Sequence, residues 1–101
     1  MARPLPLPAD ELDIAVAALP GWQVVDGKLH RKFVFADFTR AFGFMAAVAT
    51  VAEKMDHHPE WSNVYSRVTV DLTTHDANGI TGLDAELARH MSDLAHDFGQ
   101  S

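Results

Sequence analysis

The chain contains no cysteine, so a disulfide framework, a thiolate nucleophile and a zinc–thiolate site are all excluded. Basic residues are scarce as well, because 8 Lys and Arg stand against 14 Asp and Glu, for a formal net charge of −6. A surface of this sign repels phosphate, which argues against direct binding of nucleic acid or anionic lipid. The length of 101 residues predicts a single domain over residues 1–101.

Long hydrophobic runs are also missing. The most apolar stretch, from Ala41 to Ala52, is shorter than the roughly 20 residues that a helix needs to cross a bilayer. Pro4, Pro6 and Pro8 interrupt the start of the chain, where a signal peptide would need an unbroken apolar segment. These absences predict a cytoplasmic protein without membrane contact.

Turn and capping residues divide the chain into helices and strands. A first helix is expected to begin near Pro8 and to stop before Pro20-Gly21. Asp26-Gly27 lies between two strand-like runs, and both residues tolerate the positive φ angles of a tight hairpin turn. A second strand pair follows the central helix and ends before a turn at Asn78-Gly79. The order helix, two strands, helix, two strands, helix predicts an α+β two-layer sandwich, in which a four-stranded antiparallel sheet has its helices on one face.

The central helix is predicted over residues 37–55, with Asp37 as its N-cap and Pro59 limiting its far end. Its apolar residues occupy more than one side of the helix. We assign one stripe at helical spacing to the core: Phe38, Phe42 or Ala41, Met45, Ala49 and Ala52. A second apolar group lies off that stripe: Phe44, Ala47, Val48 and Val51. We expect the second group to contact another copy of the chain, in a dimer or a tetramer.

Several polar residues stand where these elements end. His57 and His58 end the central helix before a proline, and His75 is expected to close the last strand on its polar side. Each has a structural explanation when taken singly, such as a histidine that interacts with the negative end of a helix dipole. Asp84 has one too, because Thr81-x-x-Asp84 is a capping box for the last helix.

The spacing of the polar residues is more informative than any one of them. Three residues separate Glu53 from His57-His58-Pro59, five lead to Tyr65, nine to His75 and eight to Asp84. This pattern resembles the signature of the pterin-4a-carbinolamine dehydratases. The segments from Asp37 to Met45 and from Asp56 to Tyr65 are similar to that family as well, and a match of several spaced residues is far more specific than one short motif.

The resemblance implies an enzyme that removes water from a 4a-hydroxytetrahydropterin to give the quinonoid dihydropterin, in tetrahydropterin recycling. Such a reaction needs an acid for the departing hydroxyl and a base for a ring N–H proton, and histidine suits both roles at neutral pH. It needs no electron sink, so no cofactor is expected, and the resemblance implies an enzyme without a metal. By resemblance His57 and His75 are the acid–base pair, His58 binds and orients the pterin, and Asp84 orients a histidine or shapes the site.

The resemblance also implies substrate contacts around these residues. The candidates are Glu53, Asp56, Pro59, Thr74 and Asp76. Trp22 is expected to form a wall of the pocket against the flat pterin ring.

Two other functions stay open at this level. The three histidines with Glu53 and Asp84 have donor atoms that suit zinc or iron, although adjacent His57 and His58 point apart. Animal members of the family also act as dimerisation cofactors of a homeodomain transcription factor through the central helix. A protein-interaction role is therefore the second alternative, and a homo-oligomer explains the same apolar surface more simply.

Overall fold

The computed structural model describes residues 4–100. Its helices and strands follow one another as α1 (Ala9–Ala17), β1 (Gln23–Val25), β2 (Lys28–Val34), α2 (Phe38–Met55), β3 (Glu60–Val64), β4 (Arg67–Leu72) and α3 (Gly82–Asp97). A short 3₁₀ turn, His75–Ala77, connects β4 to α3. The strands form one antiparallel sheet in the order β1-β2-β4-β3, and the helices pack on one of its faces. This architecture confirms the predicted α+β sandwich.

Local signals end these elements where the sequence pattern predicted. Asp26 and Gly27 both have positive φ angles, 51° and 77°, in the turn between β1 and β2. The carboxylate of Asp37 accepts a hydrogen bond from the backbone N–H of Arg40 at 2.8 Å and so caps α2. At the start of α3, the predicted capping box of Thr81 is present.

The core lies between the sheet and the helices. Phe44 of α2 packs against Phe33 and Phe35, with ring centroids 4.8 Å and 5.0 Å apart. Alternate residues of a strand point to opposite faces, and β2 and β4 contribute the buried residues of this layer, whereas all three residues of β1 are exposed. The fully buried strand residues are Leu29, Phe33, Val68, Val70 and Leu72. Arg31 shares the helix side with Leu29 and Phe33 and contacts Ser92 of α3, whereas His30, Lys32, Thr69 and Asp71 lie on the other face of the sheet.

The side of α2 that faces the core differs from the prediction. The buried residues of this helix are Ala41, Phe44, Val48 and Ala52, and Val51 packs partly against the core. Phe44, Val48 and Val51 were expected at a subunit contact, so that assignment is wrong. Both candidate stripes have helical spacing, and the aromatic rings of the sheet select the one that contains Phe44.

The exposed side of α2 carries three of the residues that were expected in the core, whereas Ala41 and Ala52 are buried as expected and Met45 packs partly against the core. Phe38 is 48% exposed and Phe42 is 58% exposed, with their rings 5.8 Å apart, and Ala49 is exposed too. The helix therefore keeps one apolar side uncovered within a single chain, although not the predicted side. None of the helices between residues 4 and 100 combines the length and the hydropathy needed to cross a membrane.

Candidate active site

A cleft opens where the end of α2 approaches the segment that follows β4. It is lined on one side by Asp56, His57 and His58, and on the other by Thr73, Thr74, His75 and Asp76. Its volume of about 200 Å³ is below the roughly 300–1,000 Å³ of pockets for drug-sized ligands, so it suits a small ligand. The structure thus brings the three histidines predicted from their spacing into one cleft.

The end of α2 turns the two adjacent histidines in different directions. Asp56 adopts left-handed backbone geometry, with a φ angle of 52°, and the N–H of His57 donates to the carbonyl of Ala52 at 3.0 Å. This is a common way for a helix to end, and Asp is one of the few residues besides Gly that tolerate it. His57 is consequently buried, at 8% exposure, whereas His58 is exposed.

His57 binds the carboxylate of Asp84, which is fully buried. Its Nε2 lies 2.6 Å from Oδ1 of Asp84. The second oxygen, Oδ2, accepts hydrogen bonds from the Thr74 hydroxyl at 2.8 Å and from the Thr81 backbone N–H at 2.9 Å. Asp84 therefore does both of the jobs considered from the sequence, because it caps α3 and also holds a histidine of the cleft.

This contact determines which nitrogen of neutral His57 carries hydrogen. An ionised carboxylate only accepts hydrogen bonds, so Nε2 is the donor and Nδ1 is the nitrogen left to take a proton. A buried carboxylate requires hydrogen-bond donors, and the three donors around Asp84 meet that requirement. The arrangement can hold an imidazole in one orientation with one nitrogen free for proton transfer.

His75 lies on the opposite wall and contacts a different carboxylate. It begins the 3₁₀ turn after β4, three residues beyond the end of that strand, so the expectation that it closes the strand is wrong. Its Nε2 lies 2.9 Å from Oε2 of Glu60, the first residue of β3. Glu60 also binds Lys28 at 2.6 Å, and the hydrogen bond from Lys28 is the main reason that the pKa of Glu60 is lowered. Sequence patterns did not identify Glu60, because its contact depends on how the strands are aligned.

The predicted substrate contacts divide between the cleft and its surroundings. Those that line it are Asp56, Thr74 and Asp76, together with Thr73, which was not predicted. Glu53 does not line the cleft, and its Oε1 lies 2.9 Å from Nε2 of His58. Pro59 lies beyond the lining residues, between His58 and the start of β3.

Trp22 occupies the core instead of the cleft. Its ring packs edge-on against Phe33 with centroids 5.8 Å apart, and its indole N–H donates to the hydroxyl of Ser92 on α3 at 2.9 Å. The apolar ring and its single donor are both satisfied there. The prediction that Trp22 forms a wall of the cleft disagrees with this position.

The histidines do not converge on a common point that a metal could occupy. Each of the three contacts a separate carboxylate: His57 contacts Asp84, His58 contacts Glu53, and His75 contacts Glu60. Within the part of the chain that the structure describes, no three His, Asp or Glu side chains are grouped closely enough to hold an ion. The metal-binding alternative therefore has no ligand set among residues 4–100.

Comparison with known sequences finds one family whose members match most of the chain. Residues 5–94 match the family model described as pterin 4 alpha carbinolamine dehydratase. A protein of Solibacter usitatus is 55% identical over 89 residues, which cover 88% of this chain and 94% of the relative. A protein of Brucella ovis is 54% identical over 91 residues with the same coverage. Both relatives carry pterin-4-alpha-carbinolamine dehydratase as a provisional name.

Two solved structures share the fold. A crystal structure described as a transcriptional coactivator/pterin dehydratase from Brucella melitensis has a TM-score of 0.86 and 53% identity, covering 89% of this chain and 98% of that one. A pterin dehydratase-like protein, identified as a RuBisCO assembly factor in the alpha-carboxysome, has a TM-score of 0.63 and 21% identity. It covers 79% of this chain and 89% of its own, and at this identity it supports the fold alone.

Proposed function

The chain belongs to the pterin-4a-carbinolamine dehydratase family, and on that premise we propose that it dehydrates a 4a-hydroxytetrahydropterin to the quinonoid dihydropterin in tetrahydropterin recycling. The observation that carries the proposal is a pair of histidine–carboxylate contacts on opposite walls of one cleft, His57 with Asp84 and His75 with Glu60. Both contacts engage Nε2, so the two Nδ1 atoms are the ones available to a substrate. A cytoplasmic location is part of the same proposal.

The proposed reaction uses the two imidazoles as an acid and a base. The C4a–O bond breaks as one imidazole protonates the oxygen, which leaves as water. The other imidazole takes a ring N–H proton, and the electron pair of that bond forms the new double bond of the product. Each positioned acid or base contributes roughly 10²- to 10⁴-fold to the rate. Solvent returns the proton from the base to the acid after turnover.

The remaining cleft residues bind the pterin in this proposal. The amino and N–H groups of a pterin donate hydrogen bonds, and carboxylates accept them. Asp56 and Asp76 provide carboxylates at the two sides of the cleft. His58, whose ring is held by Glu53 at 2.9 Å, orients the ring system. Asp84 is buried away from solvent and acts through His57.

The test is formation of quinonoid dihydropterin from 4a-hydroxytetrahydropterin that an aromatic amino acid hydroxylase generates in the assay. We expect wild-type protein to accelerate the reaction, and His57→Ala and His75→Ala each to lose roughly 10²- to 10⁴-fold in kcat. His90→Ala is the matched control, because His90 is exposed on α3 outside the cleft. Wild-type rates in both cleft variants, with the circular dichroism spectrum unchanged, would overturn the mechanism.

The uncovered side of α2 supports a second proposal, that Phe38 and Phe42 contact another copy of this chain in a dimer or tetramer. Two half-exposed aromatic rings in contact form an apolar surface, and most oligomers of soluble proteins are symmetric assemblies of one chain. The Brucella melitensis relative is described as a transcriptional coactivator, so a different protein is the alternative occupant.

Light scattering tests the self-association. Wild type is expected at a multiple of the 11.1 kDa chain mass, and Phe38→Ser/Phe42→Ser at a smaller multiple. Val34→Ser removes an exposed apolar residue from the sheet and serves as the control. A monomeric wild type would contradict this proposal and leave the dehydratase proposal standing.

A further inference from the structure

Glu60 connects the two walls of the cleft. It lies two residues after His58, which lines one wall, and its side chain reaches His75 of the other wall. Its two oxygens have different partners: Oε2 lies 2.9 Å from Nε2 of His75, and Oε1 accepts from Nζ of Lys28 at 2.6 Å. One carboxylate of β3 is therefore held by β2 and in turn holds the segment after β4.

Glu60 faces a residue of the same charge across the sheet. Glu60 stands directly opposite Asp71 of β4, and like charges at such positions destabilise a strand pair. Asp71 has its own partner, since its Oδ1 lies 2.9 Å from Nδ1 of His30. Partly exposed ion pairs such as Lys28–Glu60 add little stability. The ion pair with Lys28 therefore accounts for only a small part of what a carboxylate at position 60 does, and its contact with His75 gives it a second role.

His75 needs an external contact to hold its ring. His57 is fixed by burial against Asp84, whereas the side chain of His75 is 76% exposed. An exposed side chain samples several rotamers, and only some of them point a ring nitrogen into the cleft. The carboxylate of Glu60 lies beside the His75 ring, with Oε2 2.9 Å from Nε2, at the distance of an ion pair.

We propose that Glu60, held in place by Lys28, is a positioning residue for His75: it accepts the Nε2 hydrogen and thereby directs Nδ1 into the cleft. The inference rests on the dehydratase function proposed above, in which His75 is half of the acid–base pair. In His57 and in His75 alike, a carboxylate then contacts Nε2 and leaves Nδ1 for proton transfer. The two carboxylates differ in setting, because that of Asp84 is buried whereas that of Glu60 is paired with a lysine.

The ionisation of Glu60 and Lys28 is consistent with Glu60 as a hydrogen-bond acceptor for His75. The hydrogen bond from Lys28 lowers the pKa of Glu60, and the charge of His75 acts in the same direction. The hydrogen bond to Glu60 raises the pKa of Lys28. Both residues are therefore charged at neutral pH, and Glu60 remains a hydrogen-bond acceptor for the ring.

Three variants and a control test the inference kinetically. Glu60→Ala is expected to lower kcat by roughly 10- to 100-fold, a part of what a positioned acid or base supplies, with a much smaller change in KM. Glu60→Gln keeps an oxygen that accepts from Nε2–H and is expected to recover most of kcat. Lys28→Met, which frees the carboxylate, is expected to lower kcat by less than Glu60→Ala. Lys32→Met, at an exposed lysine on the same face of β2, should match wild type.

A measurement without substrate separates this inference from the function on which it rests. Three-bond NMR couplings that report χ1 of His75 are expected to show one rotamer in wild type and averaged rotamers in Glu60→Ala. If wild type lacks dehydratase activity, the proposed function fails, and the couplings still decide whether Glu60 holds the ring. A Glu60→Ala variant with wild-type kcat, or with unchanged couplings, overturns the inference.

Discussion

Replacing Asp84 by asparagine separates its two contacts, because the amide keeps the size of the side chain and turns one acceptor oxygen into a donor. The amide oxygen can still accept from the Thr81 N–H and cap α3. The NH₂ group then faces Nε2 of His57 in place of Oδ1. His57 must respond by carrying its hydrogen on Nδ1, the nitrogen that the proposed mechanism needs free.

The contacts of Asp84 determine the expected loss in kcat and the expected loss in stability. If Nδ1 can no longer exchange a proton with substrate, the loss in kcat approaches the roughly 10²- to 10⁴-fold that a positioned acid or base supplies. In the variant, the groups of His57, Thr74 and Thr81 that contact Asp84 face a neutral amide instead of a charged carboxylate. A hydrogen bond to a charged group contributes about 1 kcal/mol more to stability than a neutral one, so the free energy of unfolding should fall by about 2–3 kcal/mol. A domain with a stability of about 5–15 kcal/mol remains folded after that loss.

Two measurements on Asp84→Asn test this reasoning, namely kcat for quinonoid dihydropterin formation and the free energy of unfolding in urea. Asp37→Ala is the matched control, since it removes the exposed cap of α2 and contacts nothing in the cleft. We expect that control to lose about 1 kcal/mol of stability and no activity. An Asp84→Asn variant with wild-type kcat would refute the tautomer argument and leave Asp84 with the capping role alone.

Three further predictions concern packing, backbone strain and pH. A Cβ on Gly43 would lie 2.6 Å from the Phe98 ring. Gly43→Ala should therefore lower the free energy of unfolding in urea by about 1–3 kcal/mol. Gly82→Ala is the control, because a Cβ at that position would have open space around it. Tyr65 has a φ angle of 53° in an exposed turn, so Tyr65→Asn should raise the free energy of unfolding by about 1 kcal/mol, and a lower melting temperature would show that the ring makes a stabilising contact. Lys28→Met should raise the carboxyl pKa of Glu60 in an NMR titration, because the Lys28 hydrogen bond is the main cause of its lowering. The stabilisation from this ion pair is present above the unfolded pKa and is lost as pH falls through the lowered folded pKa, so the variant and wild type should converge in stability at acid pH.

Local sequence signals were reliable where a single residue decides a local geometry. Asp26-Gly27 predicted the first hairpin, Asp37 the start of α2, and Thr81 with Asp84 the capping box of α3. In each case the backbone angle or the cap depends on neighbours within about four residues. Such features can be read from the chain because their partners are close in sequence.

The sidedness of α2 could not be predicted in the same way. Phe42 and Phe44 both belong to apolar stripes at helical spacing, and hydrophobicity does not distinguish them. The choice depends on which ring fits against Phe33 and Phe35 of the sheet. The position of Trp22 was predicted wrongly for a similar reason, because only the fold brings the hydroxyl of Ser92 within hydrogen-bond distance of its indole N–H.

Periodicity, caps and spacing are properties of the chain, so the order of the elements and the residue types of the site follow from the amino-acid sequence. The partners within the site depend on the three-dimensional packing of the elements. His57 meets Asp84 from 27 residues away, and Glu60 meets His75 because β3 aligns with β4 in one register. A hydrogen bond requires two atoms to lie within about 3 Å of each other, and local propensities carry no information about that distance when the atoms belong to different elements.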